Sequence, residues 1–147
     1  MSKTGEHPIE NRRPLDAGLA ARLINVAATG AGATGNPQIA GQLLEGFVIG
    51  ELRRQLGWAE ESPGLYHYRD HDGSEVDVIL ETDDGRVAGL EVKAASTVQA
   101  RDGRWLAQLR DRLGRRFVAG LILHTGTEAA PFGERIAAVP IDVLWSA

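Results

Sequence analysis

Apolar residues recur at helical spacing near the start of the chain and predict its first helix. This helix is expected over residues 16–28, where the apolar positions fall on one face: Leu19, Leu23 and Val26. Residues 1–15 are polar, which predicts a loose N-terminal segment. Residues 29–36 are rich in glycine, alanine and threonine and predict a flexible loop after the helix.

A second, longer helix is expected after this loop. Pro37 can begin it, because a proline at the first helical position loses no hydrogen bond, and the pattern continues to about Gly57. Its apolar residues cover much of its circumference, which predicts a well-buried helix. Glu45 falls on an apolar stripe with Ile49, where a carboxylate is costly unless it is paired or coordinated.

The middle of the chain changes to the two-residue period of β-strands. Strands are expected at residues 65–69, 75–81 and 86–93, separated by turns rich in aspartate and glycine, which predicts an antiparallel meander.

A helix and a buried strand are expected to follow the meander. Residues 103–113 have a helical pattern, and the apolar run at 117–124 is typical of a strand buried on both faces. A helix between two strands predicts a crossover to a parallel neighbour. A last strand at 137–141 and a short helical end at 142–145 complete the order α-β-β-β-α-β, so the predicted class is α/β with a mixed sheet.

The length of 147 residues favours one domain, expected over residues 16–147. A hydrophobic fraction of 43% and a charged fraction of 24% are ordinary for a globular protein. The absence of cysteine fits a reducing compartment and predicts a cytoplasmic location. No apolar run approaches the roughly 20 residues of a membrane helix, and the polar start does not resemble a signal peptide, so no membrane partner is expected.

Charge is distributed unevenly along the chain. The net charge of -4 excludes a generally basic nucleic-acid-binding surface but not a local one. Residues 101–116 contain six arginines against two aspartates, whereas residues 72–91 contain seven acidic residues against one arginine. A phosphate-binding wall beside a metal pocket would have this distribution, and so would a solvated helix face. The candidate phosphate-binding residues are Arg69, Arg104, Arg112, Arg115 and Arg116.

The second hairpin brings charged residues together. Pairing about a turn centred near Asp84 places Asp77 opposite Glu91 and Glu75 opposite Lys93, on one face of the sheet. Four apolar residues of the same strands are expected on the other, core-facing side: Val76, Val78, Leu90 and Val92.

Two directly opposed carboxylates repel each other unless one is protonated or a cation lies between them. Asp77 and Glu91 are therefore candidate Mg²⁺ ligands, since this ion often uses one or two carboxylates with water and phosphate. Lys93 could orient or deprotonate a water or stabilise negative charge, and Glu45 could reach the same cation if its helix packs on the sheet. The alternative is a polar sheet face with an ion pair between Glu75 and Lys93.

The order of Glu45 on a helix, Asp77, and then Glu91, Val92 and Lys93 after a hairpin resembles the core of the PD-(D/E)xK nuclease superfamily. This resemblance implies a restriction-endonuclease-like fold. It implies that Asp77, Glu91 and the Val92 carbonyl bind Mg²⁺ or Mn²⁺, that Lys93 positions the attacking water, and that Glu45 is an accessory acid. The residue before Asp77 departs from the usual proline of the motif.

The chain more closely resembles the DUF4143 domain, which is usually found at the C-terminus of bacterial and archaeal AAA-type ATPases. The resemblance extends over about residues 16–145 and is carried by six segments: 16–20, 44–52, 66–70, 75–77, 91–93 and 131–133. This chain has no phosphate-loop motif, so ATP hydrolysis is not expected of it, and a separate AAA-type ATPase becomes a candidate partner.

Two functions stay open. The first is a metal-dependent nuclease that hydrolyses phosphodiester bonds in DNA, with RNA as a further candidate substrate. The second is a non-catalytic, nuclease-like module that binds DNA or protein and works with a separate ATPase or as a homodimer.

Several other features favour a structural interpretation or a supporting role. Core packing is favoured over base stacking for the three tryptophans, Trp58, Trp105 and Trp145. The glycine pattern of residues 30–35 formally matches a dinucleotide-binding loop, but the expected strands are missing, so no nucleotide cofactor is predicted. Gln108 on the crossover helix could support the site, and His124 is expected at a strand end.

Overall fold

The helix α1 (Pro37–Leu56) is the longest element of residues 36–145, the part of the chain that this computed structural model describes. Asn36 caps it, because the side-chain oxygen of Asn36 accepts a 3.0 Å hydrogen bond from the backbone N–H of Gln38. The bounds match the predicted second helix. The predicted first helix, the loose segment before it and the glycine pattern of residues 30–35 lie outside the described residues.

Within residues 36–145, six strands form one mixed sheet in the order β1-β2-β3-β4-β6-β5, which confirms the predicted α/β class. The first three strands are antiparallel neighbours, β4 is parallel to both β3 and β6, and β5 is antiparallel to β6. The strands are β1 (Gly64–Arg69), β2 (Glu75–Glu81), β3 (Val87–Lys93), β4 (Phe117–His124), β5 (Ala130–Pro131) and β6 (Ile136–Pro140).

The predicted crossover between β3 and β4 contains a 3₁₀ turn (Ala100–Gly103) and the helix α2 (Arg104–Leu113). A 3₁₀ helix (Ile141–Trp145) provides the predicted helical end. The strand β5 was not predicted, because two residues are too few to show a periodic pattern.

Each helix is associated with its own hydrophobic cluster on the sheet. Successive strand residues alternate between the two clusters, so the helices cover opposite faces. The α1-side cluster contains Leu44, Val48, Leu52, Val78, Leu90, Leu123 and Ile141. The α2-side cluster contains Val76, Ile79, Val87, Leu106, Leu109, Phe117, Ile122, Ile136 and Ala138.

Two predictions of burial were wrong. The helix α1 is not buried around much of its circumference: Leu43 is 58% exposed and Ile39 is also exposed, because only the stripe through Leu44 and its neighbours four residues apart packs on the sheet. Trp58 follows α1 at the surface and is 44% exposed rather than packed in the core. By contrast, the strand β4 contributes to both hydrophobic clusters, as predicted for a strand buried on both faces, and only Val118 near its start is exposed.

A bulge in β2 changes which face its residues occupy. In the middle of the β1–β2 pair, two β2 residues, Asp77 and Val78, lie opposite His67 alone. The extra residue reverses the alternation, so Val76 packs in the α2-side cluster and Val78 in the α1-side cluster. The prediction that both valines share one face was therefore wrong.

None of the described helices is long and apolar enough to cross a membrane.

Candidate functional site

The acidic side chains lie at the end of the sheet where β2 and β3 separate. The pairing of these strands follows the predicted turn centre, and its last pair is Val78 with Leu90. The ladder stops before Asp77 and Glu91. Instead, Asp77 Oδ2 accepts a 2.7 Å hydrogen bond from the backbone N–H of Val92. This bond holds the Asp77 carboxylate beside the carboxyl end of β3.

A cleft of about 360 Å³ opens at this position. The four residues predicted to be catalytic, together with Val92 and Glu75, all line it: Glu45 from α1, Asp77 from β2, and Glu91 and Lys93 from β3. The cleft therefore gathers four carboxyl groups and one ammonium group from the helix α1 and the two strands of one hairpin.

Glu91 is the most deeply buried of these acids, with 5% of its surface exposed. Burial, together with the nearby charge of Asp77, raises the pKa of Glu91 to about 9 against the opposing effect of Lys93. Its Oε1 atom is buried and has no hydrogen-bond partner among the described residues. Such an oxygen is unfavourable without a proton or a cation.

The other carboxyl groups of the cleft respond to the same environment. Burial raises the pKa of Asp77, while its hydrogen bond from the Val92 N–H and the charge of Lys93 act against that shift. Burial and the charges of Asp77 and Glu75 raise the pKa of Glu45. The carboxylates therefore repel one another across the cleft, and positive charge placed between them would relieve this repulsion.

The alternative of a Glu75–Lys93 ion pair was wrong. Glu75 Oε1 lies 3.3 Å from His67 Nε2, whereas Lys93 Nζ lies 3.7 Å from Asp102 Oδ1. The bulge explains this, because it turns Glu75 to the α1 side of the sheet while Lys93 stays on the α2 side. The same bulge brings the His67 ring to the backbone of β2, with Nδ1 3.1 Å from the Asp77 carbonyl oxygen.

The donor set suits a hard divalent cation more than a soft one, since carboxylates and no thiols line the cleft. Within residues 36–145, no group of three or more histidine, aspartate or glutamate side chains is arranged to hold a metal ion. A Mg²⁺ site often uses only one or two carboxylates, with water completing its shell. Asp77 and Glu91 with its unpartnered Oε1 fit that smaller requirement.

The candidate phosphate-binding arginines lie at different distances from the cleft. Arg69 pairs in register with Glu75, and Arg104 lies against Trp105, so both are at the cleft end of the sheet. Arg112 is about 12 Å further along α2 and donates a 2.8 Å hydrogen bond to the Tyr68 hydroxyl.

The two remaining arginines, Arg115 and Arg116, precede β4 at the opposite end of the sheet, because β4 runs parallel to β3. Arg116 donates a 2.9 Å hydrogen bond to the Gly85 carbonyl and lies 3.2 Å from Glu81. The structure therefore does not bring these two residues to the acidic cleft.

Four further residues line the cleft and were not predicted as part of it: Gln38, Gly41, Gln42 and Trp105. The two glutamines are spaced seven and three residues before Glu45, which is a helical-face signal that the sequence contained. Trp105 was expected in the core. It does pack against the α2-side cluster, but it also reaches the cleft.

Two weaker candidates lie apart from the cleft lining. Gln108 Oε1 is 3.4 Å from the Ser74 hydroxyl, so it contacts the turn before β2. His124 is buried at the end of β4, where its Nδ1 accepts a 3.0 Å hydrogen bond from the Gly126 N–H, as expected for a strand-end histidine.

Comparison with known proteins gives one match. The sequence model of a family described as Domain of unknown function (DUF4143) matches residues 40–144. No curated protein and no solved structure matches the chain.

Proposed function

The chain belongs to the DUF4143 family, and we propose that its acidic cleft is the active site of a metal-dependent nuclease that hydrolyses phosphodiester bonds in DNA. The observation that carries the proposal is the convergence of Glu45, Asp77, Glu91 and Lys93 on one cleft, with a buried Glu91 oxygen that has no partner among the described residues. Carboxylates that bind a cation beside a lysine are what hydrolysis of a phosphodiester requires.

The proposal includes a PD-(D/E)xK site on a restriction-endonuclease-like core. It is supported by the order of elements, with a helix bearing Glu45, a hairpin bearing Asp77, Glu91 and Lys93, and a crossover helix leading to a parallel strand. RNA is a second candidate substrate, because its phosphodiester groups offer the same chemistry.

Asp77, Glu91 and the Val92 carbonyl would hold Mg²⁺ or Mn²⁺. When bound, such an ion polarises the scissile phosphate and lowers the pKa of a coordinated water. Glu91 has to give up the proton that burial favours before it can serve as a ligand. The Val92 N–H keeps the Asp77 carboxylate turned toward the end of β3 through its 2.7 Å hydrogen bond.

Lys93 would orient the attacking water and stabilise the negative charge that develops on the phosphate. Its ammonium group is positioned by Asp102, whose other oxygen accepts a 2.8 Å hydrogen bond from the backbone N–H of Gln99. Glu45 lies on the α1 wall as an accessory acid, where its raised pKa favours holding a proton. Arg69 and Arg104 would contact the nucleic acid beside the cleft, Arg69 through a flanking phosphate.

The test is cleavage of plasmid, linear and single-stranded DNA with Mg²⁺ or Mn²⁺ by the wild type and by Glu91→Ala. We expect metal-dependent cutting by the wild type and none by a folded Glu91→Ala variant. Glu60→Ala is the matched control, because Glu60 is an exposed glutamate outside the cleft. Cutting that persists in Glu91→Ala would show that the nuclease activity does not use this cleft.

The alternative function has its own readout. If the wild type cuts none of these substrates with either ion, the non-catalytic module replaces the nuclease as the proposal. Such a module would bind DNA or protein. It would work either with a separate AAA-type ATPase or as a homodimer. Co-purification with a P-loop ATPase and the mass of the purified protein in solution would distinguish these two arrangements.

A further inference from the structure

The side chain of Arg104 lies against an aromatic ring at the edge of the acidic cleft. Its Cζ atom is 4.1 Å from the centroid of the Trp105 ring. Trp105 is half-buried, packs against the α2-side cluster and lines the cleft, whereas Arg104 is exposed. A cation at this distance from an indole is held by the electron-rich face of the ring.

Arg104 differs in its contacts from the five arginines of the described chain that pair with a carboxylate. Arg86, Arg110 and Arg116 lie 2.9 Å, 2.9 Å and 3.2 Å from carboxylate oxygens. No carboxylate of residues 36–145 lies within 4.0 Å of Arg104. Its guanidinium group is therefore positioned by Trp105 while its hydrogen-bond donors and its outer face stay available.

A guanidinium plane of this kind is a stacking surface for an unpaired base. Proteins that bind single-stranded nucleic acids stack bases on aromatic rings and on arginine planes, while positive charge follows the backbone. On the α1 side of the same cleft, Gln38 and Gln42 offer amide groups that can donate to and accept from a base edge. The cleft thus combines amide groups with the acidic cluster, and Arg104 adds a stacking surface beside the cleft residue Trp105.

The stacking surface favours an unpaired base over a base in a duplex. In a duplex both faces of an internal base are already stacked on its neighbours, so such a base has no free face for Arg104.

We propose that Arg104, held by Trp105, stacks on a base next to the scissile phosphate, which makes unpaired strands, such as single-stranded ends or flaps, the preferred substrate of this cleft. The inference rests on the proposed function, because it takes the neighbouring acidic cluster as the site of hydrolysis. Arg104 is thus a residue that positions the substrate and selects unpaired strands. Its contribution to binding depends on the planar shape of its guanidinium group as well as on its charge.

The experiment compares binding of three end-labelled probes of equal length: a thymidine strand, the same strand with abasic sites, and a duplex. Fluorescence anisotropy is measured with the full chain and Ca²⁺, which supports binding without the proposed turnover. We expect the wild type to bind the intact strand about tenfold more tightly than the abasic strand, since one stacked base is worth roughly 1–3 kcal/mol.

The informative variant is Arg104→Lys, which keeps the charge and removes the plane. It should bind the intact strand about tenfold more weakly than the wild type does, with little change for the abasic strand. Arg53→Lys is the matched control, because Arg53 is an exposed arginine near the other end of α1. Arg104→Lys binding that keeps the wild-type preference for bases would overturn the stacking role, as would a wild type that does not distinguish intact from abasic strands.

Trp105→Phe and Trp105→Leu extend the test to the residue that positions Arg104. The phenylalanine variant keeps an aromatic face and should retain most of the base preference, whereas a leucine variant with cooperative thermal unfolding should lose it. Equal preference in both folded variants would contradict the role of Trp105. If Trp105→Leu does not fold, the Arg104→Lys result decides alone.

Cleavage of the same strands with Mn²⁺ separates this inference from the proposed function. We expect Arg104→Lys to raise KM for the intact strand with kcat little changed. If the wild type cuts single strands and Arg104→Lys has wild-type KM, the stacking role is overturned and the nuclease stands. If the wild type neither binds nor cuts any strand, both proposals are overturned.

Discussion

The backbone N–H of Val92 donates a 2.7 Å hydrogen bond to Asp77 Oδ2 at the point where the β2–β3 ladder has ended. This contact continues the attachment of the two strands through a side chain rather than through backbone pairing. It also keeps the Asp77 carboxylate next to the deeply buried Glu91. The hydrogen bond therefore serves the stability of the hairpin and the proposed chemistry together.

Substitution of Asp77 separates these two contributions. Asp77→Asn keeps an oxygen that can accept from the Val92 N–H but removes the charge, so it should fold with near wild-type stability and lose metal-dependent cleavage. Asp77→Ala removes the acceptor as well and should lower the free energy of unfolding by about 1–3 kcal/mol. Urea unfolding of both variants measures the difference. Equal destabilisation by the two substitutions would contradict the role assigned to the hydrogen bond.

Glu91 makes the stability of the metal-free protein depend on pH. The pKa of its carboxyl group rises from 4.5 to about 9 on folding, chiefly through burial. The folded state therefore binds more protons than the unfolded state between these two values, and stability must fall as pH rises through this window. Below pH 4.5 this loss is absent, and above about 9 it is complete.

Chemical unfolding in EDTA between about pH 5 and 9 tests this sign. The wild type should lose stability on the order of several kcal/mol across the range, while Glu91→Gln, which cannot ionise, should have a much flatter profile. Glu60→Gln is the exposed control and should follow the wild type. A Glu91→Gln profile as steep as that of the wild type would show that another group causes the dependence.

The ion pair of Lys93 with Asp102 predicts a graded series of catalytic effects. Lys93→Gln should lower the cleavage rate by about 100-fold or more, since the charge that orients water is lost. Asp102→Asn keeps an oxygen for the Gln99 N–H but not the charge that positions Lys93, so it should lower kcat by a smaller factor with KM unchanged. Single-turnover cleavage checks the order of the two effects. A larger loss in Asp102→Asn than in Lys93→Gln would contradict the positioning role.

Glu45 is expected to oppose stability while it supports activity. Its raised pKa comes from burial and from the charges of Asp77 and Glu75, so its ionised form is unfavourable in the metal-free cleft. Glu45→Gln should therefore raise the melting temperature at pH 8 in EDTA and reduce cleavage. Differential scanning calorimetry measures the melting temperatures of the variants and the wild type. Gln42→Glu is the opposite change, because it adds an acid to the same cleft, and this variant should melt at a lower temperature than the wild type. A Glu45→Gln variant less stable than the wild type would overturn this assignment.

The local elements were predictable because short-range signals define them. The bounds of β2 and β4 match the predicted strands, since the turns that flank them contain glycine and charged residues. The pairing of β2 with β3 followed from the length of their turn, which is why the sequence could bring Asp77 and Glu91 to one place. Glu45 was predicted near Asp77 and Glu91 because helical spacing places its carboxylate on an apolar stripe of the helix.

The features that the sequence could not show depend on contacts between distant residues. The bulge in β2 depends on its pairing with β1, where His67 stands opposite two residues, and it redirected Glu75 away from Lys93. The position of Trp105 at the cleft edge depends on how α2 packs across the sheet. Arg115 is close to Arg112 in sequence but lies where the chain enters β4, so sequence proximity did not indicate its place.

The separation of the arginines gives a prediction about nucleic-acid affinity. Arg69 is at the cleft end of the sheet, whereas Arg115 is at the opposite end. Arg69→Gln should weaken binding of every strand and reduce the slope of log affinity against log salt by about 1, as expected when one phosphate contact is removed. Arg115→Gln removes the same charge from the chain, so it controls for net charge, and its salt slope should match the wild type. A slope reduced equally in both variants would show that nucleic acid extends to both ends of the sheet rather than binding at the cleft.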